Sequence, residues 1–199
     1  MRNQRFLAAS LMPAAIALVA FLLLPGCKVN VKKGTEQEDK KVDIETPLGG
    51  IHVSRQADPR DTGLPVYPRA KPKPKDSSDD SKSANVNISG PGFGVKVVAL
   101  EYVSDDPPQK LVDYYKDQLR KYGSVLECHT GSHGGHIAME QPLSKADSKP
   151  VSCDQSDKGS TVELKVGTES NQHIVAIEPQ GKGSNFALVY IQTRGKETI

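Results

Sequence analysis

Residues 104–123 read S-D-D-P-P-Q-K-L-V-D-Y-Y-K-D-Q-L-R-K-Y-G, and they predict the helix around which the fold is organised. Asp105 or Asp106 is expected to cap its start, the two following prolines fit its first turn, and Gly123 fits a left-handed terminator. The apolar side chains recur at i, i+4 and i+8 and form a single stripe. The stripe contains Leu111, Tyr115 and Leu119, with Val112 and Tyr122 beside it. Such a helix needs a flat apolar surface to cover.

Segments that resemble β-strands flank this helix on both sides in the sequence. They are expected at residues 95–103, 124–128, 161–166, 173–177 and 186–191. The last three are separated by the turn-rich stretches G-T-E-S-N-Q and P-Q-G-K-G-S-N, which predict an antiparallel meander. We therefore expect an α+β domain over residues 62–193, in which one amphipathic helix packs on an antiparallel sheet of about five strands.

The start of this domain and its helix carry a resemblance to known proteins. Residues 64–70, L-P-V-Y-P-R-A, are expected to be extended, because residues before proline avoid the helical region. The run Y-P-R-A, then a strand, the helix and a meander resembles small secreted domains of bacterial lipoproteins and uncharacterised exported proteins. Those domains have a Y-P-G-A-like opening and an F-Y-x-x-x-L-x-x-x-G-like helix, and Arg69 stands where their opening has glycine. The resemblance covers roughly residues 62–192; it implies a fold and supplies no catalytic residue.

The region before this domain contains a second candidate structure. Residues 42–53, V-D-I-E-T-P-L-G-G-I-H-V, alternate apolar and polar residues around Gly49-Gly50, so residues 42–61 are expected to be a hairpin or a linker. The string V-N-I-S-G-P-G-F-G-V-K-V at residues 86–97 is similar. A diverged duplication or two independent hairpins with the same turn chemistry would explain it, and we favour independent hairpins because nothing else in the two halves matches.

Three segments have too few apolar residues to form a core. Residues 28–41 are charged, so we assign residues 27–41 to a solvated tether. Residues 69–85 are mostly Lys, Pro, Ser and Asp and predict a mobile loop, because nothing in them offsets the entropy cost of ordering. Residues 194–199 are expected to be a tail.

The N-terminus has the layout of an export signal. Arg2 and Arg5 precede a nearly unbroken apolar run over residues 6–24. The run is also long enough for a retained transmembrane anchor, which is the alternative. The ending Leu24-Pro25-Gly26-Cys27 resembles the lipobox of bacterial lipoproteins, which implies that residues 1–26 are removed and that Cys27 carries lipid. Dual acylation would give stable anchoring.

The expected location and partners follow from this resemblance. Lys28 follows the cysteine, whereas aspartate at that position is the usual signal for retention in the inner membrane of enteric bacteria. The outer membrane is therefore favoured, with the membrane as one partner and an envelope protein or the cell wall as another. After removal of Arg2 and Arg5 the basic and acidic side chains balance at 24 each, from 26 and 24 in the whole chain. Nonspecific nucleic-acid binding needs a basic field, so no nucleic-acid partner is expected.

Cys128 and Cys153 are expected to form a disulfide, because two thiols in an exported protein usually pair. The alternative is a redox-active or metal-binding pair, which lacks a C-x-x-C arrangement. The bridge would hold the intervening loop against the sheet.

The segment C-H-T-G-S-H-G-G-H contains His129, His133 and His136, which are candidate ligands for zinc, copper or nickel. The competing interpretation is a flexible polar loop, because three glycines loosen it and the sequence shows no acidic residue nearby that would orient the imidazoles. No catalytic motif or cofactor motif is present, and Tyr114, Tyr115 and Tyr122 are expected to pack the helix rather than to stack ligands. The sequence thus predicts a non-catalytic binding or structural module without a cofactor, and a periplasmic metal-binding protein is the alternative.

Overall fold

Our computed structural model describes residues 28–32, 41–74, 83–131, 149–153 and 159–195. For residues 28–32 only the backbone is described. The strands are β1 (Lys28–Lys32), β2 (Lys41–Thr46), β3 (Gly49–Ser54), β4 (Lys71–Pro72), β5 (Ser83–Gly90), β6 (Phe93–Ser104), β7 (Leu126–Thr130), β8 (Thr161–Thr168), β9 (Asn171–Gln180) and β10 (Gly183–Gly195). One α-helix, α1 (Pro108–Leu119), and two 3₁₀ turns (Pro59–Thr62 and Arg120–Tyr122) complete the described structure.

All the strands belong to one antiparallel sheet with the order β1-β2-β3-β5-β6-β10-β9-β8-β7. The short β4 pairs with the last part of β6, at Tyr102 and Val103, and β5 pairs with β6 up to Leu100. The prediction of an α+β fold with about five strands is therefore wrong, since the described residues form a mostly β protein with a single short helix. The five predicted strand segments are present as β6 to β10, but four more strands, β1, β2, β3 and β5, extend the same sheet.

These extra strands also change the expected segment boundaries. Residues 28–32 were expected in the tether but form β1, which pairs with β2. The expected hairpin is formed by β2 and β3. Of the loop expected over residues 69–85, residues 71–72 form β4 and residues 83–85 belong to β5, whereas residues 75–82 lie outside the described part. In the expected tail, residues 194–195 belong to β10 and the rest lies outside it.

The helix α1 covers one face of the sheet, which we call the helix face, over β8 and β9. Its predicted stripe is confirmed for Leu111, Val112, Tyr115 and Leu119, which are all buried. Tyr122, expected beside the stripe, lies beyond α1 in the second 3₁₀ turn and is 36% exposed. Alternate residues of the strands below complete the core, including Val98 in β6, Leu164 in β8 and Leu188 in β10, none of which is exposed. Successive side chains of a strand point to opposite faces, so this core uses only half of each strand.

The residue that begins α1 differs from the expectation. Pro107 occupies the N-cap position, and no side chain caps the helix there. The carboxylate of Asp106 instead accepts hydrogen bonds from the Tyr67 hydroxyl at 3.1 Å and from the Lys110 ammonium at 2.8 Å. Because those two groups hold the carboxylate, it ties the start of the domain to the helix rather than capping the helix.

Candidate binding surface

The strands β2, β3, β5 and β6 carry a second apolar surface, on the face opposite the helix face. Their register aligns alternate residues in two rows across the sheet. One row is Val42, Val53, Val86 and Val97, and the other is Ile44, Ile51, Ile88 and Val95. In β6 these positions alternate with Val98 and Leu100 of the core, which fixes them on the opposite face. We call the eight residues the valine–isoleucine face.

The valine–isoleucine face stays partly exposed. Seven of its residues are of intermediate exposure, Ile51 is 38% exposed, and none belongs to the buried core cluster. Among the described elements, β2, β3 and β5 make their main contacts with neighbouring strands, whereas α1 packs on β8 and β9. The two similar strings of the sequence form these rows, with each residue of the first string two strands away from its counterpart in the second.

Three exposed apolar side chains gather at one end of this face. The turns between β2 and β3 and between β5 and β6 are neighbours, because Gly50 pairs with Ser89. Leu48 in the first turn is 73% exposed, and Phe93 after the second turn is 45% exposed. With Ile51 they form what we call the apolar end of the sheet. The two turns lie close together, since a Cβ on Gly49 would collide with the Ser89 carbonyl oxygen.

A shallow groove runs between these two turns. None of its lining residues is charged, and its walls include Leu48, Ile51 and Phe93. Two hydrogen bonds lie within the first turn: the Thr46 hydroxyl donates to the Gly49 carbonyl at 2.9 Å and accepts from the Leu48 N–H at 3.3 Å. The Gly50 N–H donates to the Ser89 hydroxyl at 3.3 Å.

The predicted lipidation site lies next to this end in the chain. Cys27 is outside the described residues, but Lys28 begins β1 and pairs with Glu45, one residue before Thr46 at the end of β2. The chain therefore enters the sheet beside the β2–β3 turn. Nothing in the sequence pattern of residues 28–41 signalled this position, because K-V-N-V-K is short and polar.

The Cys128–Cys153 disulfide is present, with the two Cα atoms 5.6 Å apart. Cys128 is buried in β7, and Cys153 belongs to the segment 149–153. Pro150 in that segment forms a bridge with Thr168 at the end of β8. The bond thus joins this segment to the β7 edge of the sheet, and most of the intervening loop lies outside the described residues.

Of the three candidate metal ligands, only His129 lies in the described part. It belongs to β7, and its Nε2 atom is 3.4 Å from Oε1 of Glu127. The other oxygen of that carboxylate is 2.5 Å from the ammonium of Lys116. Glu127, two residues before His129 in the sequence, is therefore an acidic neighbour that the sequence-based expectation overlooked. His133 and His136 lie outside the described residues, within which no group of three His, Cys, Asp or Glu side chains could hold a metal.

The opening Y-P-R-A is folded against the helix. The Tyr67 N–H donates to the Tyr115 hydroxyl at 2.9 Å, which in turn donates to the Pro65 carbonyl at 3.2 Å. Burial raises the pKa of Tyr115, so the phenol stays neutral. Arg69 has φ +64°, a left-handed conformation that glycine adopts more readily than a residue with a Cβ. The Lys110 hydrogen bond lowers the pKa of Asp106, which keeps this carboxylate ionised beside Arg69.

His173 is the most enclosed described histidine. Its ring stacks on Tyr122 with centroids 3.8 Å apart, and its Nδ1 atom is 2.9 Å from the Thr62 carbonyl oxygen. Burial lowers its pKa, which favours the neutral ring. Tyr122 donates to the Gly63 carbonyl at 2.6 Å. These contacts fasten the 3₁₀ turn Pro59–Thr62 to the sheet, so His173 has a structural role.

Comparison with protein-family models, curated proteins and solved structures finds no match to this chain. Within the part that the structure describes, no helix is long and apolar enough to cross a membrane.

Proposed function

We propose that this chain is a membrane-anchored envelope lipoprotein with lipid on Cys27, and that its sheet is a non-catalytic binding or structural module. The observation that carries the proposal is the adjacency of the lipobox-like sequence and the sheet. Leu24-Pro25-Gly26-Cys27 ends the apolar leader, and β1 begins at the next residue, Lys28. Consecutive Cα atoms are about 3.8 Å apart, so a lipid on Cys27 would hold the sheet itself at the membrane rather than a long spacer.

The proposed partners are the membrane, through the lipid, and an envelope protein or the cell wall, through the sheet. The outer membrane is the proposed location, since Lys28 rather than aspartate follows the cysteine. A nucleic-acid partner does not fit the proposal, because the chain after residue 26 carries equal numbers of basic and acidic side chains.

Metabolic labelling with a fatty acid tests the anchor. The wild-type chain should be labelled and should have lost residues 1–26, whereas Cys27→Ala should carry no label. The matched control is the double variant Cys128→Ala, Cys153→Ala, which removes the other two cysteines and should be labelled like the wild type. A labelled Cys27→Ala chain, or a wild-type chain that keeps its leader, would contradict the proposal.

The second candidate is a periplasmic metal-binding protein that uses His129, His133 and His136. Glu127 supports it, because a carboxylate beside a ligating imidazole fixes the orientation of the ring. Titration with zinc or copper would test it: binding should be lost in His133→Ala and retained in His52→Ala, whose histidine lies in β3. Equal binding by the two variants would exclude a site in the loop.

A further inference from the structure

The large apolar side chains that the described residues expose are unevenly distributed. There are four of these side chains, and three of them, Leu48, Ile51 and Phe93, form the apolar end. The fourth is Tyr122. Turn positions usually hold polar or glycine residues, because they face water. Leu48 occupies such a position after Pro47, and Phe93 begins β6 directly after the turn Pro91-Gly92. The formation of a tight turn does not require an exposed apolar side chain at either place.

The chain outside the described residues indicates what covers this end. The 27 residues before β1 contain the leader and Cys27, and they reach the sheet at Lys28, opposite Glu45. One residue, Thr46, separates Glu45 from the β2–β3 turn. A lipid on Cys27 would therefore place Leu48 and its neighbours at the surface of the bilayer.

The chemistry of the apolar end fits hydrocarbon rather than a polar partner. The groove between the turns has no charged lining residue. Three of its polar groups, the Thr46 hydroxyl and the N–H groups of Leu48 and Gly50, already have partners within the sheet. An unpaired polar group is costly in lipid, so the pairing of these three groups lowers the cost of entering the interface.

We propose that the apolar end, formed by Leu48, Ile51 and Phe93, inserts into the bilayer surface beside the lipid on Cys27. This inference rests on the proposed lipid anchor and adds a second contact to it. Insertion of apolar side chains adds to the membrane affinity of acyl chains and also fixes the orientation of the sheet. The opposite end, which includes the β9–β10 turn at residues 181–182, then points away from the membrane.

Site-specific tryptophan fluorescence tests the insertion, because the chain contains no tryptophan. Full-chain Phe93→Trp, processed in cells and reconstituted into phosphatidylcholine vesicles, should emit at shorter wavelength than in water. Vesicles whose acyl chains carry bromine near the glycerol should quench it. The control is Lys182→Trp at the opposite end, about 40 Å away along the strands, which should not be quenched.

Two further measurements distinguish apolar insertion from adsorption by charge. Leu48→Trp, at a turn position that is 73% exposed, should be quenched like Phe93→Trp. Adding Ile51→Ser to Phe93→Trp should reduce the quenching. High salt should leave the quenching unchanged, because the contact is apolar. Loss of quenching in salt, equal quenching at positions 93 and 182, or no quenching at positions 48 and 93 would each overturn the insertion.

The mass of the same samples reports the lipid separately. Absence of lipid on Cys27 would refute the proposed anchor, whereas a lipidated chain without quenching would refute only the insertion. A chain that retained its leader would still be held at the membrane, so quenching at position 93 decides the insertion in that case too.

Discussion

The two halves of the sheet are built from the same alternation of apolar and polar residues but differ in what covers them. In the half formed by β6 to β10, the apolar residues of the helix face pack in the core, and Leu164, Val175 and Leu188 are completely buried. In the extension formed by β1, β2, β3 and β5, apolar residues are aligned across the strands but remain partly exposed. Val42, Val53 and Val86 form part of one such row. Alternation alone therefore predicts strands, while the covering element decides which face becomes a core.

The largest expected difference between the halves concerns core truncation. Tyr115→Ala should lower the free energy of unfolding by about 3–5 kcal/mol, and Leu111→Ala by about 2–5 kcal/mol, because both side chains are completely buried. Val53→Ala in the extension should cost clearly less, since its side chain is already partly exposed. Urea denaturation measures all three. A cost for Val53→Ala equal to that for Leu111→Ala would show that the extension has a covered core of its own.

The disulfide should have the next largest effect, and it belongs to the helix-covered half. Cys128 and Cys153 close a loop over a sequence separation of 25 residues, which in the chain-entropy model contributes about 3 kcal/mol. Adding a reductant should therefore lower the urea midpoint of the wild type. The Cys128→Ser, Cys153→Ser variant should start lower and should not respond to the reductant. A wild type insensitive to reduction would show that the bond contributes little.

A smaller effect of opposite sign is expected at Arg69. Its left-handed backbone is strained for a residue with a Cβ, so Arg69→Gly should stabilise the fold by about 1 kcal/mol. The ion pair with Asp106 that is lost should contribute little, because the Arg69 side chain is 88% exposed. Arg69→Ala is the control and should give no gain. Thermal unfolding compares the variants, and a destabilised Arg69→Gly would indicate that the guanidinium matters more than the backbone.

The smallest expected effect is a pH dependence in the helix-covered half. Burial lowers the pKa of His173 below its ordinary value of 6.5, so the unfolded chain binds this proton first as the pH falls. The free energy of unfolding should therefore decrease as the pH falls from about 6.5 to the lower pKa that His173 has in the folded protein. Stability measured from pH 8 to pH 5 should fall less steeply in His173→Gln. His52→Gln, in the extension, is the control, and an unchanged slope in His173→Gln would count against the assignment.

Local patterns were enough to predict the helix, its buried stripe and the strand segments β6 to β10. Each of these depends on the spacing of apolar residues within a short window, as in Leu111, Tyr115 and Leu119. The cysteine pairing was also predicted correctly. The N-cap was not, because the partners of the Asp106 carboxylate include Tyr67, which is distant in sequence.

The extent of the sheet could not be read from local patterns. Whether β3 pairs with β5 depends on contacts across residues 55–82, and the strand K-V-N-V-K has a composition that also suits a tether. The apolar end left a detectable signal, namely Leu48 in one turn and Phe93 directly after the other. That signal becomes interpretable only when the register shows that the two turns are neighbours.

The position of β10 has a consequence for the order in which the protein can assemble. This strand lies between β6 and β9, and it is the last described strand to be synthesised. Until residues 183–195 are available, β6 and β9 each present a long unpaired edge. The strands β1 to β6 and the strands β7 to β9 are then joined by α1 and the connecting chain. Unpaired edges invite pairing with other chains. The folding chain is thus most vulnerable to aggregation before residues 183–195 pair with β6 and β9, and loss of that strand would leave two separate sheets.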